Sequence, residues 1–272
     1  MKTLLLSSLV KVFKDSDLNY NEFTTASCLK NERFSFQVAL IPEEKNAEVK
    51  ISINSDLKDN LNLYEVVNIP AKKTGYDNSD KFHYDLKRKE FPDLLKPLGD
   101  TLQLEPGVAS SIWIEFSGNG EFSGKHDITL VLETESGKTE KTFSLNIIDN
   151  ELPKQELLFT NWFHNDCLCT YYKVKPFSDK YWVIFEKFLK NAVNHGVNMI
   201  LTPVFTPPLD TAVGGERPTF QLVGIEKKKG EYFFDFTNFR KYVEICLKNG
   251  VEAFEISHFF TQWGATSAPK IV

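Results

Sequence analysis

Several features are scarce in this 272-residue chain, and each scarcity excludes something. No apolar run approaches the roughly 20 residues that a membrane-spanning helix needs, so no membrane partner is expected. Cysteine is limited to Cys28, Cys167, Cys169 and Cys246, with no CxxC pair among them. That usage gives no disulfide framework and suits a reducing compartment, so a cytoplasmic location is expected. A basic excess is also missing. Thirty-two Lys and Arg stand against 37 Asp and Glu, a net charge of −5, so no nucleic-acid partner is indicated. The one lysine cluster, Lys227-Lys228-Lys229, reads as a solvated hairpin tip. The opening MKTLLLSSLVKVF has its apolar run broken by Lys11 and shows no clear cleavage site, so it reads as a strand rather than a signal peptide. Its alternation is Leu4, Leu6, Ser8, Val10, Val12.

What is abundant is period-two patterning, over roughly residues 1–150. Phe34, Phe36, Val38 and Leu40 share one face, with Ser35 and Gln37 opposed. Val49-Ile51-Ile53, Ile112-Ile114-Phe116 and Phe143-Leu145-Ile147 repeat the pattern. Turn signals separate them at 118–120, 123–124 and 136–138. Many short strands with one apolar face predict a β-sandwich, because two such sheets bury their faces against each other. The stretch from about Tyr76 to Pro97, with Pro92 and Pro97, reads as a long loop.

Residues 149–153, DNELP, form the expected linker, and the period then changes. Ser178 caps a predicted helix to about His195, ended by Gly196. Thr237 caps a second, ended by Gly250. Each glycine leads into an apolar strand, Val197–Val204 and Val251–Ile256, and a further strand is expected near 157–163. Residues 206–234 form an insertion, with hairpin strands expected at Thr219–Val223 and Glu231–Phe236. Parallel strands alternating with helices open a (β/α)8 barrel. The fold class expected is therefore an N-terminal sandwich, residues 1–150, followed by the first three strands of a barrel, residues 151–272. The tail Ala268–Val272 has neither polar cap nor charged run, which favours a truncated barrel.

Barrel enzymes carry their chemistry at the carboxyl ends of the strands. The first strand is expected to end in WFHNDC, residues 162–167, and strand parity would aim Trp162, His164 and Asp166 together. An aromatic plate with an imidazole and a carboxylate suits a sugar: the ring covers a pyranose face and the polar groups bond hydroxyls. The competing reading is a His-Asp pair that braces a loop. The third strand leads to His258, Gln262 and Trp263. The second runs into LTPVFTPPLDTAVGGERPT, residues 201–219, a rim loop with Asp210, Glu216 and Arg217. Its Gly214-Gly215 pair matches neither GxGxxG nor a P-loop. A zinc site built from His164, Asp166, Cys167 and Cys169 is disfavoured, because opposite strand parity separates the first two from the last two. No metal and no cofactor is expected.

These segments resemble a known family. WFHNDC, the 201–219 loop, QLVGIEKKKGEYFFDF and EISHFFTQWGATSAPKI are similar to the glycoside hydrolase-like proteins catalogued as domain of unknown function 4091, themselves similar to glycoside hydrolase family 123. NERFSFQVAL, FPDLLKPL and SSIWIEF resemble the sandwich that precedes the barrel in that group. The resemblance implies a carbohydrate substrate. In family 123 it is terminal β-linked N-acetylgalactosamine, removed with retention by the substrate's own acetamido group. An adjacent Asp-Glu pair assists: the Asp orients the acetamido group and the Glu is the general acid/base. This sequence holds no Asp-Glu dipeptide. The carry-over therefore reaches Trp162, His164, Asp166, Asp210, Glu216, Arg217, His258, Gln262 and Trp263 as pocket lining, and no catalytic residue. Two alternatives remain at this point: a non-catalytic carbohydrate-binding or interaction protein, and, last, a metal hydrolase.

Overall fold

The computed structural model describes residues 1–43, 47–71, 89–162, 164–207, 215–260, 265 and 268–272. The chain divides into two compact units, Met1–Pro153 and Lys154–Val272.

Among the described residues the first unit holds ten strands: β1 Lys2–Ser7, β2 Thr25–Leu29, β3 Arg33–Ile41, β4 Ala47–Asn54, β5 Leu61–Pro70, β6 Glu90–Pro97, β7 Thr101–Leu104, β8 Ser110–Ser117, β9 Gly124–Thr134 and β10 Gly137–Ile148. They form two five-stranded sheets, ordered β1-β3-β8-β5-β6 and β2-β10-β9-β4-β7. All the pairings are antiparallel except that of β2 with β10, which is parallel. Apolar alternation makes both sheets one-faced, and the two faces share one core. Phe36, Val38 and Leu40 of β3 and Ile112, Ile114 and Phe116 of β8 meet Ile128, Leu130 and Leu132 of β9 and Phe143, Leu145 and Ile147 of β10. The rings of Phe36 and Phe143 stack across the sheets with centroids 4.1 Å apart. Burying such a side chain is worth about 1.5–3 kcal/mol.

Three expectations change in this unit. β1 stops at Ser7, where the Val10 amide donates back to the Ser7 carbonyl and turns the chain. Leu5 enters the main core, while Leu6 and Val12 join a satellite core with Leu18, Ala39 and Ala109 on the other side of β3. Gln37, expected on a solvent face, is buried there. Its Nε2 donates to the Ser7 and Val10 carbonyls and its Oε1 accepts from Ser111 Oγ, which satisfies the amide. Residues 90–97, expected as loop, form the edge strand β6 on β5, with a register shift between Val67 and Asn68. Proline is tolerated on an edge because its missing N–H costs no ladder bond there. The rest of that expected loop, 72–88, lies outside the described residues.

The second unit holds α1 Asn165–Tyr172, α2 Asp179–Asn194, β11 Met199–Thr202, β12 Gly224–Lys228, β13 Glu231–Asp235, α3 Thr237–Lys248 and β14 Ala253–Ile256. β11 and β14 pair in parallel, Met199 opposite Ala253 through Thr202 opposite Ile256. The helices pack on one face of this pair. Tyr181, Phe185 and Leu189 of α2 and Tyr242 and Cys246 of α3 enclose Ile200, with Phe254 packed against them. Ser178 Oγ caps α2 by accepting the Tyr181 amide at 3.3 Å. Gly196 and Gly250, at φ +90° and +97°, take the left-handed turns that end α2 and α3. α3 differs from expectation at its start. Thr237 is its first residue, and Asp235 Oδ1 accepts both the Thr237 amide at 2.9 Å and its hydroxyl at 2.6 Å. Those bonds hold the Asp235 carboxyl below its usual range.

The expected first barrel strand near 157–163 is reduced to one parallel bridge, Thr160 to Met199. The chain then enters α1, not a longer strand, so the strand parity assumed for residues 162–169 does not hold. The hairpin also shifts. Its first strand is Gly224–Lys228, because Phe220 and Leu222 of the expected strand are buried in the helical core. Its tip is Lys229-Gly230, both at positive φ, a two-residue turn that matches strand twist.

Tyr181 and Tyr242 are fully buried, and burial pushes both phenols well above their usual value. Unfolded phenols ionise near pH ~10, while these stay protonated. Above that pH the unfolded state binds fewer protons than the native one, so stability falls as pH rises; below it the contribution is complete. We expect the denaturation midpoint of the second unit to hold steady up to about pH 9 and to drop above about pH 10. Hydrogen exchange of the α2 and α3 amides across that range checks this, and an unchanged midpoint at high pH would be the contrary result.

Candidate functional site

Two groups of side chains assemble beyond the carboxyl ends of the parallel segments. The first spans the bridge residue Thr160 and β14. In a parallel pair one face carries Ile200 and Phe254 toward the helices, so Glu255, one residue on, projects to the opposite face. There Glu255 Oε2 accepts Trp162 Nε1–H at 2.7 Å and Thr160 Oγ1–H at 3.4 Å. The His258 ring lies beside the indole, with centroids 6.0 Å apart and planes tilted by 34°. The chain reaches His258 along an extension of the ladder: the Ser257 amide donates to the Thr202 carbonyl at 3.1 Å, and Ser257 Oγ to the Phe205 carbonyl at 3.2 Å. His258 Nε2 is buried and finds no hydrogen-bond partner among the described residues.

The second group joins α1 to the loop after β11. His164 is the residue before α1, with an extended backbone, and Asp166 lies in the first turn. Arg217 grips that carboxylate bidentately, Nε to Oδ2 and Nη2 to Oδ1, both at 3.0 Å. The side chains are 5% exposed for Asp166 and 13% for Arg217, so both charges are largely out of water. Arg217 Nη2 also approaches Cys167 Sγ at 3.6 Å. Beneath them Asn165 Oδ1 accepts the Tyr181 hydroxyl at 2.8 Å, tying the start of α1 to α2.

Of the residues singled out in the sequence, the structure brings Trp162 to His258 and Asp166 to Arg217. It turns Glu216 outward, where it pairs with Lys270 at 3.1 Å, both exposed. Asp210, Gln262 and Trp263 lie outside the described residues. Sequence reasoning missed Glu255. Its signal was a lone carboxylate inside the apolar strand AFEI, at the position where an alternating pattern excuses a charge as solvent-facing. Among the described residues no three or more His, Cys, Asp or Glu gather as a metal site. A separate cleft of about 470 Å³, lined by Tyr172, Val174, Asp179, Lys180, Val183 and Ile184, shares no residue with either group.

The match to known proteins begins at the indole. Residues 162–272 match the family model of the glycoside hydrolase 123 catalytic domain. No curated protein matches the chain. In fold the chain is similar to a family 123 glycoside hydrolase from Clostridium perfringens whose structure details glycolipid glycan hydrolysis. The TM-score is 0.76 at 12% identity, covering 95% of this chain and 48% of that one. The chain thus spans about half the length of that enzyme. The N-terminal domain of PorA aligns over 55% of this chain and 100% of its own, at 10% identity and a TM-score of 0.28, a likeness too slight to argue from.

Proposed function

We propose that this chain is a glycoside hydrolase-like protein, of the kind catalogued as domain of unknown function 4091, that binds a terminal β-linked N-acetylhexosamine, N-acetylgalactosamine first. The observation that carries the reading is the match of residues 162–272 to the family 123 catalytic domain, together with a fixed indole and an imidazole where that match begins. An indole face covers the C–H face of a pyranose, and its polar surroundings take the hydroxyls. In the full chemistry the acetamido oxygen attacks the anomeric carbon, and an Asp-Glu pair orients it and handles the proton, without a cofactor. That pair is absent from these 272 residues. Asp166 does not stand in for it, because both of its oxygens are bonded to Arg217. Four free cysteines, Cys167 among them exposed, support a cytoplasmic setting.

The same commitment of Asp166 favours a second reading, a chain that binds carbohydrate without cleaving it. The two readings agree on one expected result. The 272-residue chain assayed with 4-nitrophenyl β-N-acetylgalactosaminide shows no turnover, since loss of the general acid/base and the orienting carboxylate costs several orders of magnitude. Robust turnover abolished by Asp166→Asn would place the catalytic carboxylate within these residues and overturn both.

A further inference from the structure

We propose that Glu255 is a positioning residue for a sugar platform made by Trp162. The inference rests on the carbohydrate reading above and goes further, because it assigns a role to Glu255, which lies within the motif EISHFFTQWGATSAPKI but carries no role there. Glu255 is the penultimate residue of β14, and its carboxylate reaches the segment that precedes α1. It accepts the indole N–H at 2.7 Å, within the range of a charge-assisted hydrogen bond, and Thr160 Oγ1 fixes the same oxygen from beside it. An indole has two side-chain torsions and one polar atom. Bonding that atom to a carboxylate on a strand removes most of the freedom left to the ring, and the His258 ring alongside limits the rest. Trp162 remains partly exposed, so the held ring keeps surface available.

A platform held this way binds by preorganisation: the ring's freedom is lost on folding, not on ligand capture. The same bond decides which way the plane faces. A free indole could meet a sugar with either face, whereas one tethered through Nε1 presents a fixed face to the pyranose C–H groups. The ligand class is thus a pyranoside with a contiguous apolar face, and Glu255 acts on it through Trp162.

The test uses the full 272-residue chain and has two arms. In the first, the Trp162 indole N–H is identified by Trp162→Phe, and its hydrogen exchange is measured by NMR in wild type, Glu255→Gln and Glu255→Leu. Wild type and Glu255→Gln are expected to stay protected, since an amide oxygen still accepts, while Glu255→Leu exchanges much faster. Equal protection in Glu255→Leu overturns the proposal whatever the sugar does. In the second arm, methyl β-N-acetylgalactosaminide is titrated against the same signal. Glu255→Leu is expected to weaken binding by about tenfold or more and Glu255→Gln by less, which a merely structural role would not grade in this way. Binding to Glu255→Leu as tight as to wild type overturns the proposal. If the first arm succeeds and wild type shows no response to sugar, the hold on the ring stands and the carbohydrate reading falls.

Discussion

Asp166→Ala is expected to destabilise the second unit by up to about 3–5 kcal/mol, because it removes the carboxylate that Arg217 holds by two hydrogen bonds in a largely buried ion pair. The two side chains are 5% and 13% exposed, so water does little to replace the lost hydrogen bonds. Against a net domain stability of about 5–15 kcal/mol, this loss reaches the threshold of unfolding. Removing both partners should cost less than removing one. The double variant Asp166→Ala with Arg217→Met removes both charges of this pair and fills the space with an apolar stem. Hydrogen exchange of the α1 and α2 amides, read in all three proteins, separates the cases. A single variant within about 0.5 kcal/mol of wild type would show that the pair is solvated and the account of its burial wrong.

Limited proteolysis is expected to leave a resistant core close to Met1–Pro153 and to cut within Lys154–Val272 first. The first unit closes a core between two five-stranded sheets. The second exposes Leu157, Leu158 and Phe159 before the bridge and Ile256, Phe259 and Phe260 at and beyond the end of β14. Among the described residues β14 pairs only with β11, in a sheet of two strands. Each large apolar side chain left in water forgoes about 1.5–3 kcal/mol of burial. Digestion at low protein concentration, with fragments assigned by mass, tests this. A monomer uniformly resistant out to Val272 would show that the second unit is as stable as the first.

The strands of the first unit were legible because their alternation is dictated by burial on one face. β3, β8 and β10 read correctly from Phe36, Ile114 and Leu145 and their neighbours. β6 was not, since Pro92 and Pro97 mark a loop in any local reading, and only an edge position permits them. In the second unit α2 and the pairing of β11 with β14 were legible from Ser178, Gly196 and Gly250. α1 was hidden: eight residues, no side-chain cap bond and two cysteines give no periodic stripe. Its appearance changes the geometry of the site, because Asp166 leaves the company of Trp162 for that of Arg217. Their contact spans 51 residues of sequence, and no local pattern encodes a partner at that distance. Glu255 was overlooked for the opposite reason. A charge alternating with apolar residues is ordinary in a half-buried strand, and only the indole 93 residues earlier makes it unusual.

We propose that Trp162, held by Glu255, is the carbohydrate-binding surface of the second unit. The most direct measurement is a crystal structure of the chain with N-acetylgalactosamine. The pyranose C–H face is expected to pack on the indole, with carbon–carbon contacts near ~4 Å and the Trp162 Nε1 bond to Glu255 unbroken. A sugar seated elsewhere, for instance in the cleft beside Tyr172 and Val183, with the Trp162 face bare, would contradict it.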